Sequence, residues 1–435
     1  MKKLLINILL ILGIICLDSC KEEYLNPGAA SEQQVINDAN GLISLANGLQ
    51  ARFTVSRVSP VYNYITASGL STFELAVLND GNTDEANLRN GGLAVQGNNA
   101  VIRNLWEQCH LVKANADIVI NNSQKITDAG TRSGLVAFAS IFRALSLGTL
   151  AQFWEQAPIA VQTDAVFSSR EDLLEEAIRT LETASTTLAA TPPSATFTGR
   201  IVPAIDIPNT INALIARYSI MLGDNDKAIA ASNLVNLTVK SAFAFDEASR
   251  NPMFETSFSN RNVAEPFNRS FGLPSSLAPD PNDKRTLFYF SQSGIAGDNI
   301  GKASFFTTNS SQIPVYLPGE MILIKAEAFA RKSDLANAII ELNKVLTKTP
   351  SQDAWNVGAS LPPYSGAITQ EAVLQEIYRN RCIELFLSGM KLEDSRRFGR
   401  PGPGGVTAER NRTFYPYPQS EKDNNPQNTP PDPTE

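Results

Sequence analysis

The chain has 435 residues, of which 43% are hydrophobic and 19% charged, with 25 prolines; it can bury a sizeable core, which excludes a disordered or collagenous chain. Formal charge is −7 from 37 basic and 44 acidic residues, with no basic cluster long enough to neutralise a run of phosphates, so nucleic acid is not an expected partner. The single histidine, His110, disfavours serine-histidine and cysteine-histidine mechanisms and most zinc sites; it follows Cys109 directly, points about 100° away from it on a helix, and reads as an ordinary surface or cap residue.

Met1-Lys2-Lys3 is a positive n-region, and the 14 uncharged residues from Leu4 to Leu17 form an h-region, short of the ~20 that cross a bilayer as a helix. Leu17-Asp18-Ser19-Cys20 follows and resembles a lipoprotein lipobox, in which the cysteine becomes diacylated and forms the mature N-terminus. Residues 1–19 are therefore expected to be a signal peptide, Cys20 the lipidation site holding the protein to outer-membrane lipid, and 20–435 a single domain. Asp18 departs from the usual small or apolar residue, and cleavage by ordinary signal peptidase with Cys20 left as a thiol is the plainer alternative. Lys21-Glu22-Glu23 looks like the short acidic sorting signal that sends Bacteroidetes lipoproteins to the cell exterior. Losing Lys2, Lys3 and Asp18 leaves 35 basic and 43 acidic side chains, a mature net of −8, and only Cys109 and Cys382 as possible disulfide partners.

Helical periodicity then recurs. Leu42, Leu45, Leu49 and Phe53 share one face; so do Ile102, Trp106, Cys109, Val112, Ala116 and Val119, and then Leu135, Phe138, Phe142 and Leu145. Ser168 with Glu171 reads as a capping box for a helix bearing Leu174, Ile178, Leu181 and Leu188, which Pro192-Pro193 stops. Ile211 to Leu222, ended by Gly223, pairs with a short helix from Ala228 to Val235. Ala216, Asp224, Ala228, Ile229, Asn233 and Val235 match Ala326, Asp334, Ala338, Ile339, Asn343 and Val345 at one offset of 110, and Tyr316 to Pro350 has the length and small-residue spacing of a tetratricopeptide-like repeat. A last long helix is expected from Thr369 to about Gly389, with irregular chain after Pro401; long loops fill 54–100, 237–315 and 351–367.

Three stretches share a family likeness: Phe142-Arg143-Ala144-Leu145 through Phe153-Trp154 and Pro158-Ile159; Ile313-Pro314-Val315-Tyr316 leading to Lys325-Ala326-Glu327-Ala328; and Arg381-Cys382-Ile383-Glu384-Leu385, Gly389, Lys391, Asp394, Arg397-Phe398-Gly399, closing with Pro416-Tyr417-Pro418, Glu421 and Asn425-Pro426. The chain thereby resembles the SusD/RagB family of outer-membrane nutrient-binding lipoproteins over nearly its whole length. Asn380 and Ser388 stand where the family carries acids and Lys391 where it carries arginine, and lysine cannot reproduce a bidentate fork. The motif itself reads as structural, with Arg381, Glu384, Asp394 and Arg397 pairing across turns and against neighbouring helices. The resemblance implies an all-α fold of four interrupted tetratricopeptide-like helix pairs with a loop-rich second layer, no catalysis, and a SusC-like TonB-dependent transporter barrel as partner, over which the protein acts as a lid.

Glycans bind surfaces that combine aromatic faces with planar amides, carboxylates and arginine. Two loops have that mixture: Asp80 to Asn90, offering Asp84, Asn87, Arg89 and Asn90, and Phe288-Tyr289-Phe290 with Phe305-Phe306 beyond; Trp355 lies in a third. Packing between loop and helix layers is the plainer reading of each aromatic. Asp80, Asn82 and Asp84 open like a calcium loop, but Glu85 and Gly91 occupy the positions that need glycine and glutamate, so calcium would require a non-standard loop and no other cofactor is expected. The expected function is capture of an oligosaccharide and delivery to the barrel. A peptide ligand is the alternative within the same importer type; a secreted glycosidase with paired carboxylates, or a helical-repeat adaptor without a ligand, are the alternatives of other classes. One loop tryptophan among three, Trp106, Trp154 and Trp355, favours a short or decorated ligand over a long polysaccharide.

Overall fold

The computed structural model describes residues 35–259, 262–290 and 304–434; the signal peptide, Cys20 and the sorting triplet lie outside the described residues. In chain order the elements used below are α1 (Ala39–Thr54), α2 (Pro60–Ser71), β1 (Leu75–Val77), α3 (Thr83–Asn90), α4 (Ala100–Ser123), α5 (Ala129–Phe153), β2 (Gln156–Pro158), β3 (Phe167–Ser169), α6 (Arg170–Ala190), α7 (Ile207–Leu222) and α8 (Asn225–Asn233). They continue with β4 (Ala242–Phe243), β5 (Ala264–Pro266), α9 (Lys284–Tyr289), β6 (Ile313–Pro314), α10 (Pro318–Arg331), α11 (Leu335–Leu346), α12 (Gln370–Glu384), α13 (Lys391–Arg397) and α14 (Gln419–Asn424).

The helices start where short polar side chains satisfy the first backbone N–H groups. Asp38, Asp128 and Asp206 accept from Gly41, Thr131 and Asn209 at 3.0, 2.8 and 3.0 Å. The capping box of α6 is one residue later than the sequence suggested: β3 runs antiparallel to β2 with Ser168 opposite Ala157, so Ser169 becomes the cap and Asp172 its partner. α12 stops at Glu384 rather than near Gly389, because Leu387 and Gly389 adopt φ of 54° and 80°, a left-handed turn that lets the chain reverse into α13.

Packing runs neighbour to neighbour: α1 on α4, α4 on α5, α5 on α6, α6 on α7, α7 on α8, α8 on α10, α10 on α11 and α11 on α12. Among the described residues that gives four helix pairs, α1 with α4, α5 with α6, α7 with α8 and α10 with α11, in an all-α fold whose strands are two or three residues long. α5 is long and apolar enough to cross a membrane, with mean hydropathy 1.6, but 94% of that stretch is buried against other helices. The hairpins related by 110 residues are structurally equivalent: Asp224 caps α8 and Asp334 caps α11 through the same backbone contact three residues on, and Ala228 and Ala338 are both fully buried.

The loop layer is more ordered than its composition suggested. Residues 54–100 contain α2, β1 and α3, and 237–315 contain β4, β5, α9 and β6. β1 pairs antiparallel with β5 and β4 with β6, tying distant loops together. The chain after Pro401 also carries α14. Cys109 and Cys382 are both buried and unbonded. His110 is half-buried rather than a surface or cap residue: its ring lies 4.7 Å from that of Trp106, its Nε2 has no partner, and burial, then Lys113, hold its pKa well below the ordinary histidine value.

Candidate functional site

Helix α3 supports a patch of amides and charges. Asn82 donates to the carbonyls of Asn79 (3.0 Å) and Asn262 (3.1 Å), and Asn79 donates to Asn262 Oδ1 (3.2 Å), so the β1–β5 pairing brings residues 180 apart in sequence to one edge. Glu85 is buried and accepts from Arg57 (2.5 Å) and from the Tyr62 hydroxyl (3.2 Å), while its Oε2 is buried without a partner. Exposed Asp80 pairs with Arg89 at 3.0 Å, and Arg89 also reaches Asn90 Oδ1 at 3.3 Å.

Of the four residues expected here, Arg89 and Asn90 present polar groups at the surface and Asn87 is half-buried. Asp84 is turned inward: its carboxylate accepts from the Ala100 N–H at 3.1 Å and its carbonyl from Asn99, so it fastens α3 to the start of α4. Asp80, Asp84 and Glu85 thus take separate partners instead of converging, and no cluster of three or more metal-ligating side chains occurs among the described residues. Arg57 and Asn262 were not foreseen as members of this patch. No local spacing marks them, since one lies before α2 and the other enters only through strand register.

The second group is a row of aromatic edges. Phe288 and Phe305 have ring centroids 5.4 Å apart, Phe305 and Trp355 5.6 Å, and Lys240 Nζ lies 4.7 Å from the Trp355 ring. Phe288 and Phe305 are half-buried, and Trp355 is 8% exposed. Tyr289 and Phe290 do not join the row. Successive residues of a helical turn diverge by about 100°, and these two face inward: the Tyr289 hydroxyl donates to the Glu384 carbonyl at 2.7 Å, and Phe290 packs on Phe271 (5.0 Å) and Phe386 (5.4 Å). Their role is in the core, which corrects the expectation that the whole triplet faces ligand.

Beneath the row lies a buried charged network. Arg285 on α9 pairs with Asp283 (2.6 Å) and Glu384 (3.0 Å); Lys348 pairs with Glu384 (2.7 Å) and Asp353 (2.6 Å); Asp353 accepts from the Trp355 N–H at 2.8 Å. Burial works against the Lys348 charge, but Glu384 and Asp353 outweigh it and hold its pKa above the ordinary lysine value. Asn380 accepts from Arg285 at 2.8 Å and donates to Glu376. Lys391 donates to the carbonyls of Thr72 (3.0 Å) and Phe271 (2.6 Å), a point-charge arrangement.

Between the two layers is a cavity of about 50 Å³, bounded by Tyr64, Gln152, Tyr316, Ser388 and the buried Arg217–Glu320 pair. Gln152 Oε1 and Ser388 Oγ are buried there without partners. This space suits a few waters and is far below the ~300 Å³ at which ligand pockets begin.

Residues 268–432 match the model of the SusD family. Among solved structures, a SusD superfamily protein from Bacteroides vulgatus ATCC 8482 superposes with a TM-score of 0.64 at 16% identity, covering 90% of this chain and 98% of that one. One from Bacteroides fragilis gives 0.65 at 17%, covering 88% and 97%. A SusD-like carbohydrate binding protein from Bacteroides vulgatus ATCC 8482 gives 0.63 at 17%, covering 85% and 86%. No curated protein matches the sequence. At these identities the structural likeness is one of fold.

Proposed function

We propose that this chain, which belongs to the SusD/RagB family, is a lipid-anchored outer-membrane protein facing the cell exterior that captures an oligomeric nutrient, most simply a glycan, and delivers it to a SusC-like TonB-dependent barrel as its lid. The observation that carries the reading is the composition of the loop layer. An amide and guanidinium patch and a row of aromatic edges sit on a rigid helical scaffold, over an interior too small for cargo. The exposed parts of the Phe288 and Phe305 rings take the apolar side of a sugar ring, while Arg89, Asn90, Asn79 and Asn82 offer planar groups for hydroxyls. The work is binding, orientation and release; the reading assigns no group a proton transfer. The likeness to a carbohydrate binding protein of the same fold supports a sugar as cargo.

Two measurements test this. The tagged protein is pulled from its native outer membrane in mild detergent; a TonB-dependent barrel in near equal amount supports the importer role, and its absence where the protein is abundant overturns it. Glycan and peptide pools are then applied to wild type and to Trp355→Ala and Arg89→Ala. Loss of about tenfold or more in glycan affinity in either variant supports the loop-layer site, whereas capture of peptides alone replaces the glycan reading.

A further inference from the structure

A second concavity lies on the helical scaffold, away from the loop patches. Its walls are Arg331 at the end of α10, Glu371, Gln375 and Tyr378 along α12, and Phe398 and Arg400 just past α13, with Arg397 behind; its volume is about 290 Å³. Arg331 uses Nε on Glu327 (2.8 Å) and Nη2 on the Arg397 carbonyl (3.0 Å), while Arg400 uses Nε and Nη2 on one oxygen of Glu409 (2.9 and 2.5 Å). Both side chains remain partly exposed, at 26% and 20%.

The charges around the cleft do not balance. Arg331, Arg381, Arg397, Arg400 and Arg410 share the buried carboxylates Glu327, Asp394 and Glu409, and Arg397 also meets buried Glu393, which Arg170 and Arg396 share. Arg410 donates to the carbonyls of Arg400 and Ser395. Guanidiniums outnumber the buried carboxylates in this connected network, and exposed Glu371 stands on the rim. One donor behind the wall is also left over: Nη1 of Arg397 has no hydrogen bond and meets Glu393 only at 3.5 Å. The rings complete the shape. Phe398 lies between Arg331 and Arg397, 5.2 and 5.4 Å from its centroid, and Arg400 sits 5.2 Å from the Tyr378 ring.

We infer that this cleft binds a small oxyanion, above all a monocarboxylate with a compact body. Guanidinium edges match the planar carboxylate, the excess of guanidiniums favours an anion, and the volume takes a single acidic sugar ring. The site is built from different residues than the loop-layer site and does not depend on that reading.

The test is calorimetric titration of the full chain with D-glucuronate at low ionic strength, with D-glucose as the neutral control. The expected result is saturable glucuronate binding that weakens with salt, no glucose binding, and competition by inorganic phosphate. Arg400→Gln should lower the affinity about tenfold. Because Arg400 also holds Glu409, a second variant guards against a folding defect: Glu371→Gln, at an exposed rim position, should raise the affinity about threefold by removing a repelling charge. Absence of saturable binding to wild type, equal binding of glucose, or an affinity unchanged in both variants would overturn the assignment.

Discussion

Lys113 on α4 is fully buried, and its ammonium donates to the Pro158 carbonyl without a carboxylate in hydrogen-bond contact. Burial, with Arg143 nearby, pulls its pKa from 10.5 down to about 7, against the opposing pull of Asp117. The folded state therefore disfavours the charged form: the penalty is full below about pH 7 and fades as pH rises toward the unfolded value. Lys113→Met is expected to stabilise the fold by roughly 2–4 kcal/mol at about pH 6, with the gain shrinking by about pH 10, as thermal melts at the two pH values would show. Arg217 and Glu320 behave oppositely, since their bidentate pair at 2.6 and 2.7 Å is buried on both sides. Arg217→Met alone strands the Glu320 carboxylate and should cost about 3–5 kcal/mol in denaturant titration, whereas Arg217→Met with Glu320→Leu should recover most of it.

Helix contacts in this scaffold are close because glycines let them be. A methyl group on Gly148 of α5 would run into the ring of Tyr218 on α7. Gly148→Ala should cost about 1–3 kcal/mol by prising α5 from α7, read as a lower denaturant midpoint with an unchanged slope. At this scale the sequence was most legible. The stripes of α1, α4 and α5 and the matched hairpins of Asp224 and Asp334 report local periodicity and capping, which short spacings encode. What short spacings do not encode is which neighbour of an aromatic triplet faces out. Phe288 faces the row while Tyr289 and Phe290 turn to Glu384, Phe271 and Phe386, partners lying before and well after them in the chain. The amide patch was half legible for the same reason: Asn82 and Arg89 stood in a polar loop, but Asn262 joins them only through the β1–β5 register.

The whole molecule is closed by its C-terminal chain. Asn411 donates to the Ser71 carbonyl (2.9 Å), the Tyr415 hydroxyl reaches Ser71 (2.6 Å) and Ala67 (2.9 Å), Trp154 donates to the Pro416 carbonyl (3.1 Å), and Trp106 to Glu421 (3.2 Å). Ending the chain at residue 410 should therefore uncover α2 and the Trp106–Trp154 contact together. The truncated protein is expected to bind an apolar dye such as ANS and to lose a single sharp melting transition, while the full chain does neither.

That closure sets a timetable for biosynthesis. α2 is buried along nearly its whole length, and part of its cover, Leu392 on Ser68 and Tyr415 on Ser71, comes from residues made more than 300 positions later. At about 5–20 residues per second, a ribosome leaves that apolar helix without its lid for tens of seconds. The nascent chain thus carries residues 60–71 uncovered until its last fifty or so residues are made.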